Sequence, residues 1–149
     1  LATLNGVDSS TSADGENAGN AQLDSTIAVL TRNDGKITSC YIDAVQAKIA
    51  FDAAGTITTD LSAPIQTKNE LGENYGMVAW GGAIAEWDAQ SAAFSAYTVG
   101  KTAAEVRAIE TKENDHGYIV PADETLYASC TMQITGMMEV IARAADYDR

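Results

Sequence analysis

The chain has 149 residues, 46% of them apolar and 20% charged, and its 9 basic against 21 acidic side chains give a formal net charge of −12. A chain of this length buries roughly 70% of the surface its unfolded state exposes, so it needs no metal or disulfide staple; its composition argues against wholesale disorder, and no run reaches the ~18 apolar residues of a membrane span. The excess of negative charge repels phosphate backbones and anionic lipid at long range, which makes nucleic acid and acidic membranes poor partners and solubility the simplest role of the charge.

The chain starts at Leu1 with neither the basic nor the apolar segment of a signal peptide, as expected of a processed or trimmed form. Residues 1–7 read as an edge strand and residues 9–20, rich in Ser, Thr, Asp, Gly and Asn, as a polar loop. Residues 23–31 are rich in β-branched side chains and end at Arg32-Asn33-Asp34-Gly35. Asp-Gly between two apolar runs predicts a tight hairpin, because the turn needs positive φ and glycine adopts it freely. The return strand covers residues 36–43, and a further extended run over 46–51 sets Ala47, Ile49 and Phe51 on one side. After the turn Asp52-Ala53-Ala54-Gly55, residues 56–59 read as a short strand, completing an antiparallel meander with one face for helices to cover.

Residues 61–82 are the least regular stretch, with Pro64, Gly72, Gly76, Gly81 and Gly82 interspersed with Tyr75, Met77 and Trp80. Loops of this length in a compact domain are commonly functional or mobile. Helical spacing begins at Ala83, where Ile84, Trp87, Ser91 and Phe94 form a stripe expected to be core. Gly100 closes that helix, and Thr102-Ala103-Ala104-Glu105 is a capping box opening a short helix to about Thr111. Residues 112–117 form a polar loop with the only histidine, His116; after Pro121 come Leu126 to Met132, the small-residue turn Thr135-Gly136 and a helix with Met137, Met138, Val140, Ile141 and Ala144 on its apolar face. With no repeat and no linker, residues 1–149 form a single α+β domain, an antiparallel β-meander in the N-terminal half packed against three helices in the C-terminal half.

Few residues suggest chemistry. A hydrolytic triad would have to use His116, which sits in Glu-Asn-Asp-His-Gly-Tyr, a polar turn where a solvated imidazole is expected. Glu113, Asp115 and His116 are neighbours with no second cluster of metal-ligand spacing, so no metal site is assigned. Among 21 acidic residues no pair stands out for glycoside cleavage, and no catalytic residue is assigned. Gly76, Gly81 and Gly82 lack the spacing of a nucleotide-binding loop. Trp80-Gly81-Gly82 opening a helix would offer amides to an anion, with Trp80 or Tyr75 stacking on a ring; the competing reading is a helix-start turn with its aromatics in the core. Cys40 and Cys130 lie outside any Cys-x-x-Cys setting and read as buried thiols, with a disulfide between them as the alternative.

The stretch Ala128-Ser129-Cys130-Thr131-Met132-Gln133-Ile134, followed by a small-residue turn and a terminal helix, resembles the attachment region of FMN-binding domains of extracytoplasmic flavoproteins and bacterial surface lipoproteins. The run Asp34-Gly35-Lys36-Ile37 through Asp43 is similar to that family's hairpin, and residues 68–77 resemble a secreted and lipid-anchored FMN-binding-like group from anaerobic gut bacteria. Where the family carries flavin covalently, a threonine bears it through a phosphodiester bond, and the matching position is Thr131. Here Ala128-Ser129-Cys130 replaces the family's Ser-Gly-Ala, Gln133 replaces a hydroxyl residue, and Thr125 stands at the upstream aspartate position, with Asp123 two residues early. The resemblance with these departures implies noncovalent FMN if flavin is bound. Tyr75, Met77 and Trp80 would then face the ring, while Ser129, Thr131 and Lys68 would meet the phosphate. It also implies an extracytoplasmic location, with any anchor preceding Leu1, and a small molecule or redox partner as the binding partner. The alternative is a surface binding module without flavin, and neither reading calls for an independent enzyme.

Overall fold

The computed structural model describes residues 1–147. Three strands, β1 (Ala2–Gly6), β2 (Gly19–Asn33) and β3 (Lys36–Phe51), form an antiparallel sheet in the order β1-β2-β3. The predicted hairpin joins β2 to β3: Asp34 and Gly35 take φ of 49° and 75°, the left-handed pair a two-residue turn of this kind needs. Pairing continues from Val29↔Tyr41 through Ser25↔Val45 to Gly19↔Phe51, so the two extended runs expected at 36–43 and 46–51 are one strand. The polar loop is correspondingly shorter than expected, since Gly19 and Asn20 already belong to β2. Residues 56–59 form no strand of their own; Ile57 makes an isolated bridge to Phe51, and the Thr59 hydroxyl accepts from the Ala50 amide at 2.7 Å.

Alternation along the strands sends Ala28, Ile37, Ile42 and Ala44 to one buried face. The helices lie on that face. The three expected ones are α3 (Trp87–Thr98), α4 (Ala103–Arg107) and α6 (Thr135–Asp146); α1 (Lys68–Leu71), α2 (Met77–Gly81) and α5 (Glu124–Tyr127) add single turns. α6 packs on β1 and β2, α3 on β3, and α4 on α6. Phe94, Val106, Ile134, Val140 and Ile141 meet the sheet residues in one core that draws on both halves of the chain. The capping box is present, with the Thr102 hydroxyl accepting from the Glu105 amide at 3.3 Å and Glu105 accepting from the Thr102 amide at 2.7 Å.

Three expectations shift. α3 begins at Trp87 rather than Ala83, because Glu86 is extended and Ile84 lies exposed outside the helix. α4 stops at Arg107, short of Thr111. The loop at 112–117 is the tip of a small hairpin, in which β4 (Thr111–Glu113) pairs with β5 (Ile119–Pro121) and Asn114 accepts the amides of His116 and Tyr118 at 3.0 and 2.9 Å. Strands of three residues leave too little periodicity to be seen in sequence. No helix among the described residues is long and apolar enough to cross a membrane.

Candidate functional site

A cleft of about 730 Å³ opens where the α1–α2 segment, the start of α3, the β4–β5 turn and the stretch between α5 and α6 converge. Each wall has a local cause. Thr67 and Glu70 form a reciprocal capping box that starts α1, with hydrogen bonds of 3.1 and 2.8 Å. Asn69 then fastens α1 to the edge of β3, donating from Nδ2 to the Tyr41 hydroxyl at 2.7 Å and the Ile42 carbonyl at 2.9 Å. The chain continues through a 3₁₀ turn to Tyr75, whose hydroxyl donates to Gln46 Oε1 at 2.9 Å. Lys68 and Tyr75 are thereby held on one wall, with the Lys68 ammonium 4.7 Å from the Tyr75 ring centroid and 5.4 Å from that of Trp87.

Met77 starts α2, and both its amide and that of Val78 donate to the Glu86 carboxylate at 2.8 and 3.0 Å. The expected anion site at Trp80-Gly81-Gly82 is therefore not a helix start: α2 ends there, and the amides at its true N-terminus are engaged by Glu86. Gly76, at φ 81°, is where the Trp80 ring rests, since a Cβ at Gly76 would lie 2.5 Å from Trp80 Cε3.

The opposite wall is Tyr127 of α5 and the segment Thr131-Met132-Gln133. Gln90, fully buried on α3, fixes this segment. Its Nε2 donates to the Ala85 carbonyl at 2.8 Å, and its Oε1 accepts from the Thr131 amide at 2.8 Å and the Thr131 hydroxyl at 3.4 Å. Lys112 from β4 sits 4.1 Å over the Tyr127 ring. The exposed His116 and Tyr118 stand at the mouth.

Four of the six residues singled out in the sequence, Lys68, Tyr75, Met77 and Thr131, thus line one cleft. Ser129 is exposed on the turn after α5 and Trp80 is 84% exposed; both lie outside the lining, and Trp87 supplies the indole on the inside. Sequence reading missed the part played by Trp87, Tyr127 and Gln90. Trp87 was visible as an aromatic at the start of an amphipathic stripe, but a buried glutamine carries no sequence signal. The described residues that line the cleft include no aspartate or glutamate, in a chain of net charge −12. Lys68 is the one lysine or arginine among those lining residues, while Glu86 holds its carboxylate against the amide of the lining residue Met77.

Cys40 and Cys130 are both free thiols. Burial pushes Cys130 up to about 11 and raises Cys40 as well, although the Thr98 and Ser95 hydroxyls beside Cys40 partly oppose that rise. Neither is an activated nucleophile at neutral pH. No group of three or more His, Cys, Asp or Glu among the described residues is placed to hold a metal ion. No family model matches the chain, and no curated protein or solved structure does.

Proposed function

We propose that this chain is an extracytoplasmic FMN-binding-like domain that holds FMN noncovalently in the cleft and serves as an electron carrier for a redox partner. The observation that carries the reading is the convergence of Lys68, Tyr75, Met77 and Thr131, from segments more than fifty positions apart, on one cleft without carboxylates. At about 730 Å³ it lies within the roughly 300–1,000 Å³ range of cofactor sites. Tyr75, Trp87 and Met77 offer ring and thioether contacts to an isoalloxazine, and the Lys68 ammonium offers a phosphate a charged donor. Bound flavin would supply the electron-transfer chemistry. The chain's own part is to orient the ring, exclude water from one side of it and keep the Thr131 segment in place through Gln90. The extracytoplasmic location rests on the family resemblance.

A visible spectrum before and after adding excess FMN and removing what stays unbound tests the proposal. Flavin absorbance retained by the parent chain and lost on Lys68→Met supports it. A colourless chain that releases all added FMN overturns it and favours a surface binding module without flavin, for which the 84%-exposed Trp80 would be a natural anchor.

A further inference from the structure

The outer edge of β3 is covered at intervals. Strand alternation turns the amides and carbonyls of Cys40, Ile42 and Ala50 away from β2. Ala50 meets the Thr59 hydroxyl and the Thr58 amide there, and the Ile42 carbonyl accepts from Asn69 Nδ2. Beyond the shift in register, Ile37 exchanges hydrogen bonds with Gly100 and Lys101 at 2.8 and 2.9 Å. Covers of this kind protect an edge strand from stray pairing. Between Ile37 and Asn69 there is no cover. Both backbone groups of Cys40 and the Ile42 amide are without a partner, and they border a groove of about 470 Å³ whose other wall is α3. α3 turns Ala89, Ala92 and Ala96 toward it, small enough for another backbone to lie close. Among the described residues, the two buried side-chain atoms that lack a hydrogen-bond partner are Asn69 Oδ1 and Ser95 Oγ, and both residues line this groove. Ser95, 4% exposed, stands beside the Cys40 thiol without the geometry of a hydrogen bond to it.

We propose that this groove binds a short, extended, basic peptide segment of another protein, which adds to β3 as a fourth strand. Cys40 offers a donor and an acceptor, and Ile42 a second donor two residues on. That is the spacing at which an added strand presents its own carbonyls and amides. The stretch from Ile37 to Ile42 is about 17 Å long, enough for four or five peptide residues. Peptide side chains opposite Cys40 and Ile42 share their face of the sheet and therefore point toward α3. Asp88 is the one charged residue lining the groove, which has no lysine or arginine, and the whole chain carries −12. Basic side chains are drawn to such a place and acidic ones repelled, which also argues against a second copy of this chain as the occupant. An ammonium there can donate to Asp88 and to Asn69 Oδ1, the acceptor the fold leaves without a hydrogen. The groove shares no lining residue with the cleft proposed for flavin.

The test is a titration of the isotope-labelled chain, without flavin, with the capped peptide Thr-Lys-Val-Lys-Thr, followed amide by amide by NMR. Saturable shifts centred on Cys40, Ile42, Asn69 and Ser95 are expected. The same peptide methylated on both lysine backbone nitrogens loses its donors to β3, and Thr-Glu-Val-Glu-Thr reverses its charge; each should bind at least about tenfold more weakly. Ala92→Arg, at an exposed position of α3, puts a bulky cation into the groove and should weaken binding by a similar factor, with the spectrum before titration showing that the variant is folded. Ser95→Ala should weaken binding about threefold or more while leaving the free chain as stable as the parent, because the hydroxyl it deletes has no partner there. No saturable shift up to about 2 mM peptide overturns the proposal. So does equal binding of the methylated peptide, binding of N-acetyl-lysine amide as tight as that of the peptide, or indifference to Ala92→Arg.

Discussion

Replacing Gln90 by leucine keeps most of the side-chain volume on α3 while deleting its side-chain hydrogen bonds to Ala85 and Thr131, which isolates what the amide does. In the parent, Gln90 is fully buried and joins the Ala85 carbonyl to the Thr131 amide, each at 2.8 Å. A buried polar group that loses its partner costs about 1–3 kcal/mol, and the orphans here are two backbone groups near the cleft, where water can partly reach them. About 1 kcal/mol for each gives a loss of about 2 kcal/mol, or a fall in Tm of roughly 4–8 °C for a chain of this size. Gln90→Ala should cost about 1–2 kcal/mol more, because it also leaves a cavity. Urea unfolding of the three chains measures the stability terms. The same substitutions should weaken FMN retention before they unfold the protein, since Thr131 is held in the cleft by the bond being deleted. If Gln90→Leu is as stable as the parent within about 0.5 kcal/mol, the amide bridge is not what fixes the Thr131 segment, and the account of that wall fails.

Other consequences are as direct. Lys68→Met should weaken FMN binding about tenfold or more while changing riboflavin binding by less than about threefold, measured by flavin fluorescence; equal losses for both would place the ammonium against the ring instead of the phosphate. Gly76→Ala forces a side chain to φ 81° and into the Trp80 ring, so it should destabilise by about 2–3 kcal/mol, of which Trp80→Ala in the same chain recovers only the steric part. An additive double mutant would show that the ring does not rest on Gly76. Because burial raises Cys130 to about 11, the folded state holds the thiol proton more tightly than the unfolded state does. Its contribution, about 2 kcal/mol, is whole below roughly pH 9 and is lost as pH rises toward 11, so Cys130→Ala should flatten that part of the stability profile. In the native protein at pH 8, Cys130 should react with a thiol reagent only on unfolding; prompt labelling would contradict the burial.

The α+β class and the position of the meander were legible because their signals are local. Asp34-Gly35 encodes a turn that requires positive φ, the alternation of residues 36–43 encodes a face, and Thr102 with Glu105 encodes a helix start within four residues. The same reasoning misplaced the start of α3, where Ile84 continues the apolar spacing but Glu86 is drawn away to cap α2, a choice made by tertiary contact. Family resemblance pointed to Thr131, and the chemistry a flavin would need pointed to Lys68, Tyr75 and Met77. Only the packing of α1, α3 and the segment before α6 brings those four to one cleft, leaves Trp80 outside it and puts Trp87 within.

The sequence alone determined the chain's acidity, its hairpin, its capped helices and the alternating strands, because each depends on neighbours a few residues away. The tertiary structure decided which apolar residues are covered. Leu23 and Ala28 belong to the same strand and are similarly apolar in the sequence, yet one faces solvent and the other the core, because the helices lie on one side of the sheet. It likewise decided that Gln90, silent in the sequence, holds Thr131 in place, since a buried amide acquires its role only from the groups that long-range folding sets beside it.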